Sequence, residues 1–187
     1  MTLNNKSFIS LLAVIFCWGA AHATTLARLT MDQLSANADA VARLRCESSE
    51  SRWEGGEIWT VVRFSVVESY KGDLPPQITV HVPGGRIGHI SATIEATPKF
   101  LPGAQAVVFL QRISQDGFSV AGWVEGTFRI TLDLGSGSES VTQDSSSFAI
   151  FDSRTRTFRS EGIRRMPMEQ FHARLATAIA RAGGRLR

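Results

Sequence analysis

From Ala40 the chain alternates. Ala40, Ala42, Leu44 and Cys46 share one side, and Val41, Arg43, Arg45 and Glu47 share the other. A period of two reads as a half-buried strand. Gly55-Gly56 offers a hairpin turn, and EIWTVVRFSVVESY follows. Here Ile58, Val62, Phe64 and Val66 face one way. Trp59, Arg63, Ser65 and Ser69 face the other, together with Val61 and Val67. Each large apolar side chain on the inner face stabilises by about 1.5–3 kcal/mol when fully buried. A helix would scatter these residues around its circumference, so the pattern predicts a strand.

The same logic carries on along the chain. Tyr70-Lys71-Gly72-Asp73 forms a turn, and Pro75-Pro76 belongs to a connection because proline cannot join a central ladder. Ile78, Val80 and Val82 then point inward, Pro83 stops the strand, and Gly84-Gly85 bends the chain. Ile90, Ala92, Ile94 and Ala96 alternate with polar residues and predict another strand. AVVFLQRI is apolar on both faces over Val107–Leu110, as a central strand would be. Gln115-Asp116-Gly117 turns it into FSVAGWV, and Phe128, Ile130 and Leu132 mark a further strand. The run from Gly135 to Ser147 is rich in glycine and serine and reads as a polar loop over residues 135–147. FAIF, at Phe148–Phe151, reads as a last short strand.

Helical signals stand at the two ends. Thr30 with Gln33 three residues later makes a capping box. Over residues 168–182, Phe171, Leu175 and Ile179 recur at helical spacing, and Gly183-Gly184 ends the run. Some seven or eight short strands with a helix at each end predict a mainly β domain. The expected form is a small Greek-key barrel or sandwich, OB-like, with a short N-terminal helix and a C-terminal amphipathic helix.

The first residues change the picture of where the chain works. Lys6, an apolar run from Phe8 to Trp18, and Ala21-His22-Ala23 have the layout of a secretory signal peptide. The run is short of the roughly 20 residues that span a bilayer, so residues 1–23 are read as a cleaved signal and 24–187 as one periplasmic or secreted β-rich domain, not membrane-spanning after cleavage. Phe16 stands before Cys17 where lipid-modified signals carry a small residue, so Cys17 leaves with the signal. Cys46 then has no cysteine to pair with and is expected to be a buried, inert thiol.

Charge is uneven. The net charge is +3, but nine arginines against three acids lie between Asp152 and Arg187. Such a basic end suits an anionic lipid or polysaccharide surface, with Arg181 and Arg185 as candidates; a merely solvated face is the competing reading. No arginine–aromatic interleaving of the single-strand-binding kind is present, so nucleic acid is not indicated.

Motifs for chemistry are sparse. The chain contains no HExxH, GxSxG, CxxC or phosphate-loop pattern. His81, His89 and His172 lack zinc-ligand spacing, so neither a metal nor a cofactor is expected. Glu54, Glu57, Glu68 and Asp73 sit in or beside turns, and no spacing singles out two of them as an acid–base pair. Gly84-Gly85 with Arg86 could form an anion-binding nest, but phosphate-binding versions open a helix; a bend is the simpler reading, with any ligand role secondary. Trp53, Trp59 and Tyr70 flank the long strand as exposed aromatics, which either anchor a binding surface or close the barrel ends. The candidates are therefore binding residues, Trp53, Trp59, Arg86, Arg181 and Arg185. The expected function is a secreted, non-enzymatic binding domain engaging an extracellular protein. Attachment to an anionic envelope surface through the arginine-rich end is the alternative.

Seven short motifs carry a resemblance. They are SRW at Ser51–Trp53, IxT at Ile58–Thr60, Lys71-Gly72, Gly84-Gly85, PxFxxG at Pro98–Gly103, VVFL at Val107–Leu110 and GTF at Gly126–Phe128. Together, over Ala38 to Ile130, the chain resembles a group of small secreted bacterial proteins of unassigned function. Its overall layout is similar to netrin-like domains, the barrel shared with tissue inhibitors of metalloproteinases. That resemblance implies a binding domain, such as one that restrains an extracellular protease. The inhibitors' own chemistry uses a disulfide-bonded N-terminal cysteine on the target's zinc. It carries over to no residue here, because the expected mature chain starts at Thr24 and Cys46 lies inside a strand.

Overall fold

The structure, a computed structural model, describes residues 29–115, 117–147, 150–152, 156–159 and 162–183. The expected signal peptide, Cys17, Asp116, Phe148-Ala149, Arg185 and the other flanking residues lie outside the described residues. Among those described, the protein is mainly β, with a short helix before the strands and a longer one after them.

Helix α1 (Met31–Asn37) starts as the sequence predicts. The Gln33 backbone N–H donates to Thr30 Oγ1, and the Thr30 N–H donates to the Gln33 side chain. Strands β1 (Ala40–Glu54) and β2 (Glu57–Lys71) form a long antiparallel hairpin. β3 (Gln77–Pro83) pairs with β2. β4 (Gly85–Ile87) and β5 (Ile90–Ala92) form a separate small hairpin. β6 (Gln105–Arg112) returns antiparallel to β1, and β7 (Gly117–Val120) pairs antiparallel with β6 and parallel with β3. The ring β1-β2-β3-β7-β6 thereby closes on itself. Three register shifts in β1, between Val41 and Ser48, bend the strand so that it can serve both neighbours. The closed five-stranded ring has the strand order of an OB-like Greek-key barrel.

The sheet also leaves the ring. β8 (Thr127–Leu132) pairs with β6 beside β7, followed by β9 (Glu139–Gln143) and β12 (Met166–Pro167). Among the described residues, β10 (Ile150–Asp152) and β11 (Thr157–Arg159) pair with each other and with no other strand. Helix α2 (Met168–Arg181) then packs over the outer face of this extension.

Two cores result. Inside the ring lie Ala42, Leu44, Cys46, Val62, Phe64, Val80, Val108 and Phe118, with Phe100 plugging one end edge-on to Phe64 at 4.9 Å. Outside it, Val41, Val107, Phe109, Phe128 and Val141 meet Leu34 of α1 and Phe171, Leu175 and Ile179 of α2. Val107–Leu110 are buried on both faces, as expected of a central strand. Cys46 is buried and unpaired, and burial pushes its thiol pKa up.

Three expectations change. The polar stretch at residues 135–147 is a loop only in its first part. Glu139–Gln143 is strand β9, and a 3-10 turn covers Asp144–Ser147. Two of its polar side chains have distant partners: Gln143 Nε2 and Ser145 Oγ donate to the buried Glu125 carboxylate at 2.9 and 3.2 Å. The alternation at Ile90–Ala96 yields strand only over Ile90–Ala92, and Ile90 and Ile94 stay exposed because this hairpin lies outside both cores. Tyr70 is buried, not exposed, since α2 covers it.

Candidate functional site

The five-stranded ring has one elaborated end, where β3 finishes and β6 begins. The β1–β2 hairpin runs past it: Trp53 with Ile58 and Glu54 with Glu57 lie beyond the last β2–β3 pair at Trp59 and Pro83. Trp53 and Trp59 are adjacent in the hairpin but on opposite faces, because Trp53 sits opposite Ile58 and Trp59 opposite Arg52. Trp53 is 53% exposed. Trp59 is half-buried and lines a small cavity of about 140 Å³ with His81, Pro83 and Trp123.

The Gly84-Gly85 bend belongs to this end, and its geometry explains the two glycines. The Gly84 N–H donates to the Ile58 carbonyl at 2.9 Å, and the Thr60 hydroxyl donates back to the Gly84 carbonyl at 2.7 Å. Thr60 Oγ1 then accepts from Ser51 at 3.1 Å, and Ser51 Oγ accepts from the Arg86 N–H at 3.1 Å. Gly85 runs so close to this chain of hydroxyls that a Cβ would stand 2.2 Å from Ser51 Oγ and 2.5 Å from Thr60 Oγ1. Its φ of 144° is also one that side chains avoid. The bend is thus stitched to the barrel rim, and the Gly84 and Arg86 amides are spent on protein partners.

Beyond the bend opens a cleft of about 500 Å³ between the β4–β5 hairpin, the rim and residues 97–100. Six hydroxyl side chains line it: Ser49, Ser51, Thr60, Ser91, Thr93 and Thr97. Val62, Val82 and Phe100 contribute apolar wall, and among the described residues Arg86 and Lys99 are its only charged ones. Both are exposed. Arg86 spends Nε on the Gly88 carbonyl at 3.2 Å, whereas the Lys99 carbonyl is fixed by Arg129, which also binds Asp144. A space lined by hydroxyls and two cations, without a carboxylate, attracts negative charge.

The remaining sequence candidates lie elsewhere. Arg181, on the last turn of α2, pairs with Asp32 of α1 at 3.2 Å. With Arg164 and Arg174 it lines a groove of about 1080 Å³ between the helices and residues 162–166. Arg185 lies outside the described residues. His81 approaches Glu54 at 3.5 Å, and Arg52, at 2.5 Å from Glu54, holds that carboxyl below the usual range. Among the described residues no group of three or more His, Cys, Asp or Glu could hold a metal ion, and no helix is long and apolar enough to cross a membrane.

A further polar cluster lies under α2. Arg43 donates from both Nη atoms to Glu139, and Tyr70 donates to Glu68 at 2.9 Å. With its proton so used, the Tyr70 oxygen accepts from His172 Nε2 at 2.9 Å, which sets the histidine tautomer. Burial first, then the hydrogen bond to Glu68, pushes the Tyr70 pKa well up. These groups satisfy one another and anchor the helix to the sheet.

Sequence reasoning found Arg86 and the tryptophans but not Lys99, nor the hydroxyls that complete the cleft. Serine and threonine are common in strands and loops, and only the fold brings these six together. No family model, curated protein or solved structure matches the chain.

Proposed function

We propose that the protein is a non-enzymatic binding domain, exported to the periplasm or beyond, that engages a protein partner through the elaborated barrel end. The observation that carries this reading is Trp53. It projects on a rigid two-stranded ribbon past the ring and leaves more than half of a large apolar surface in water. Burial in the fold does not account for that placement, whereas rigid aromatic anchors dominate protein interfaces. The OB-like ring supports the same reading, because such barrels commonly present ligands to their strands and loops. A netrin-like relation would fit a partner outside the cytoplasm.

A second reading has its own observation. Arg164, Arg174 and Arg181 border one groove on the helical side, which suits attachment to an anionic lipid or polysaccharide surface.

The test is retention of envelope and culture-medium components on tagged protein across a salt series, with Trp53→Ala, Trp59→Ala and an Arg174→Glu/Arg181→Glu variant alongside. A discrete protein held at high salt and lost in Trp53→Ala supports the first reading. Retention of lipid or polysaccharide only at low salt, lost in the arginine reversals, transfers the function to the second. Hydrolytic activity abolished by a single carboxylate substitution would overturn both.

A further inference from the structure

We propose that the hydroxyl-lined cleft at the barrel end receives a carboxylate-bearing segment of the protein partner, with Arg86 and Lys99 as its charge-recognising residues. The inference rests on the binding reading above and names what that site recognises. Its volume of about 500 Å³ lies within the ~300–1,000 Å³ of small-ligand sites, enough for one side chain and its flanking backbone rather than a folded surface.

The chemistry of the walls is one-sided. Guanidinium and ammonium groups only donate hydrogen bonds, and the hydroxyls of Ser49, Ser91 and Thr93 can turn to donate as well, whereas Ser51, Thr60 and Thr97 already donate within the fold. No lining carboxylate competes for them. Arg86 keeps its Nη groups for a ligand after Nε has bonded to Gly88, and a guanidinium fork matches a carboxylate in plane. Nothing on this rim needs to reorganise: Ser51, Thr60 and the Gly84 carbonyl are already locked to one another.

The surroundings favour a peptide over a free anion. Ile90 and Ile94 of the neighbouring hairpin segment are exposed at 56% and 40%, and Trp53 stands exposed on the adjoining ribbon. A segment with an acidic residue between apolar ones would pair its charge with Arg86 and Lys99 and cover this apolar rim. An inorganic anion would use the charge alone. Within the cleft itself a sugar chain finds no aromatic platform, since Phe100, the aromatic in the wall, is buried edge-on against Phe64.

The test uses two pools of short peptides passed over the immobilised protein. One has a central Asp or Glu between apolar residues; the other has Asn or Gln at that place. The acidic pool is expected to be enriched by about tenfold, and the enrichment to disappear in Arg86→Gln/Lys99→Gln. Both side chains are exposed, so the melting temperature of that variant should match the parent. Equal retention of the two pools, or retention that survives the double substitution, overturns the proposal. So does competition by inorganic phosphate or an acidic polysaccharide that displaces the acidic peptides as well as they displace one another. Partner capture separates this inference from the one beneath it. Capture lost in Trp53→Ala but kept in the double variant sinks the cleft and leaves the binding function standing. Capture indifferent to both sets of changes sinks both.

Discussion

Arg43 on the first strand and Glu139 on the ninth are joined by two hydrogen bonds, 2.8 and 2.6 Å long, across 96 positions of sequence. The pair ties the closed ring to the strands that extend it. It is largely shielded, and the guanidinium holds the Glu139 carboxyl below the usual carboxylate range, mainly through the hydrogen bonds.

A carboxyl whose pKa is lower folded than unfolded stabilises above its unfolded value, near 4.3. That stability is lost as pH falls through the lower, folded value. Glu139→Gln should therefore cost about 1–2 kcal/mol at pH 7, between the values for exposed and buried pairs. The gap to the parent should shrink steadily below about pH 4. Urea unfolding at pH 7, 4 and 3 reads both. A gap that is constant with pH would mean that shape, not charge, holds the contact.

Gly85→Ala should destabilise by about 1–3 kcal/mol, since the new Cβ meets Ser51 and Thr60 in a backbone conformation that side chains resist. Removing the Ser51 side chain in the same molecule should recover part of the loss. A double-mutant cycle with Ser51→Gly measures the coupling. Purely additive effects would show that strain in φ, rather than the collision, sets the cost.

Phe171→Ala is expected to cost about 3–5 kcal/mol, because the ring, carried by α2, is fully buried against Phe128, 5.1 Å away. Leu134→Ala, at a residue 91% exposed, should change stability by less than about 0.5 kcal/mol. Guanidinium unfolding compares the two. A small effect at Phe171 would mean that the helix contributes little to holding the sheet extension.

Particular residues show how far the sequence could be followed. The inner faces of the ring were legible because burial there is local: alternate residues of β1 as far as Cys46, of β2 from Val62 and of β3 meet the same core. The capping box at Thr30 was legible for the same reason, since its partner is three residues away. Strand β9 was not, because what makes Glu139, Gln143 and Ser145 structural is a set of partners at Arg43 and Glu125 that no window of residues contains. Tyr70 was misread for a related reason. Its exposure depended on where a helix 100 residues later would settle, and its hydroxyl meets His172 there. At the candidate site, Arg86 drew attention through its glycines, whereas Lys99 and the six hydroxyls become a site only once the chain has crossed the barrel end twice.

The parallel contact between β3 and β7 has a bearing on motion. Only Thr79 with Gly117 and Val80 with Phe118 close the ring along that line, against thirteen pairs joining β1 to β2. Free energy of local opening follows the number of bonds and packed groups to be undone, so the cylinder has a zip whose shortest run of teeth lies here. Amide protons on either side of that run should trade with solvent deuterium well before those of the long hairpin. The strip between Val80 and Phe118 is accordingly where the cylinder would first gape under load, while Trp53 rides on the hairpin that opens last and Arg86, on β4, is tied to that hairpin through Ser51.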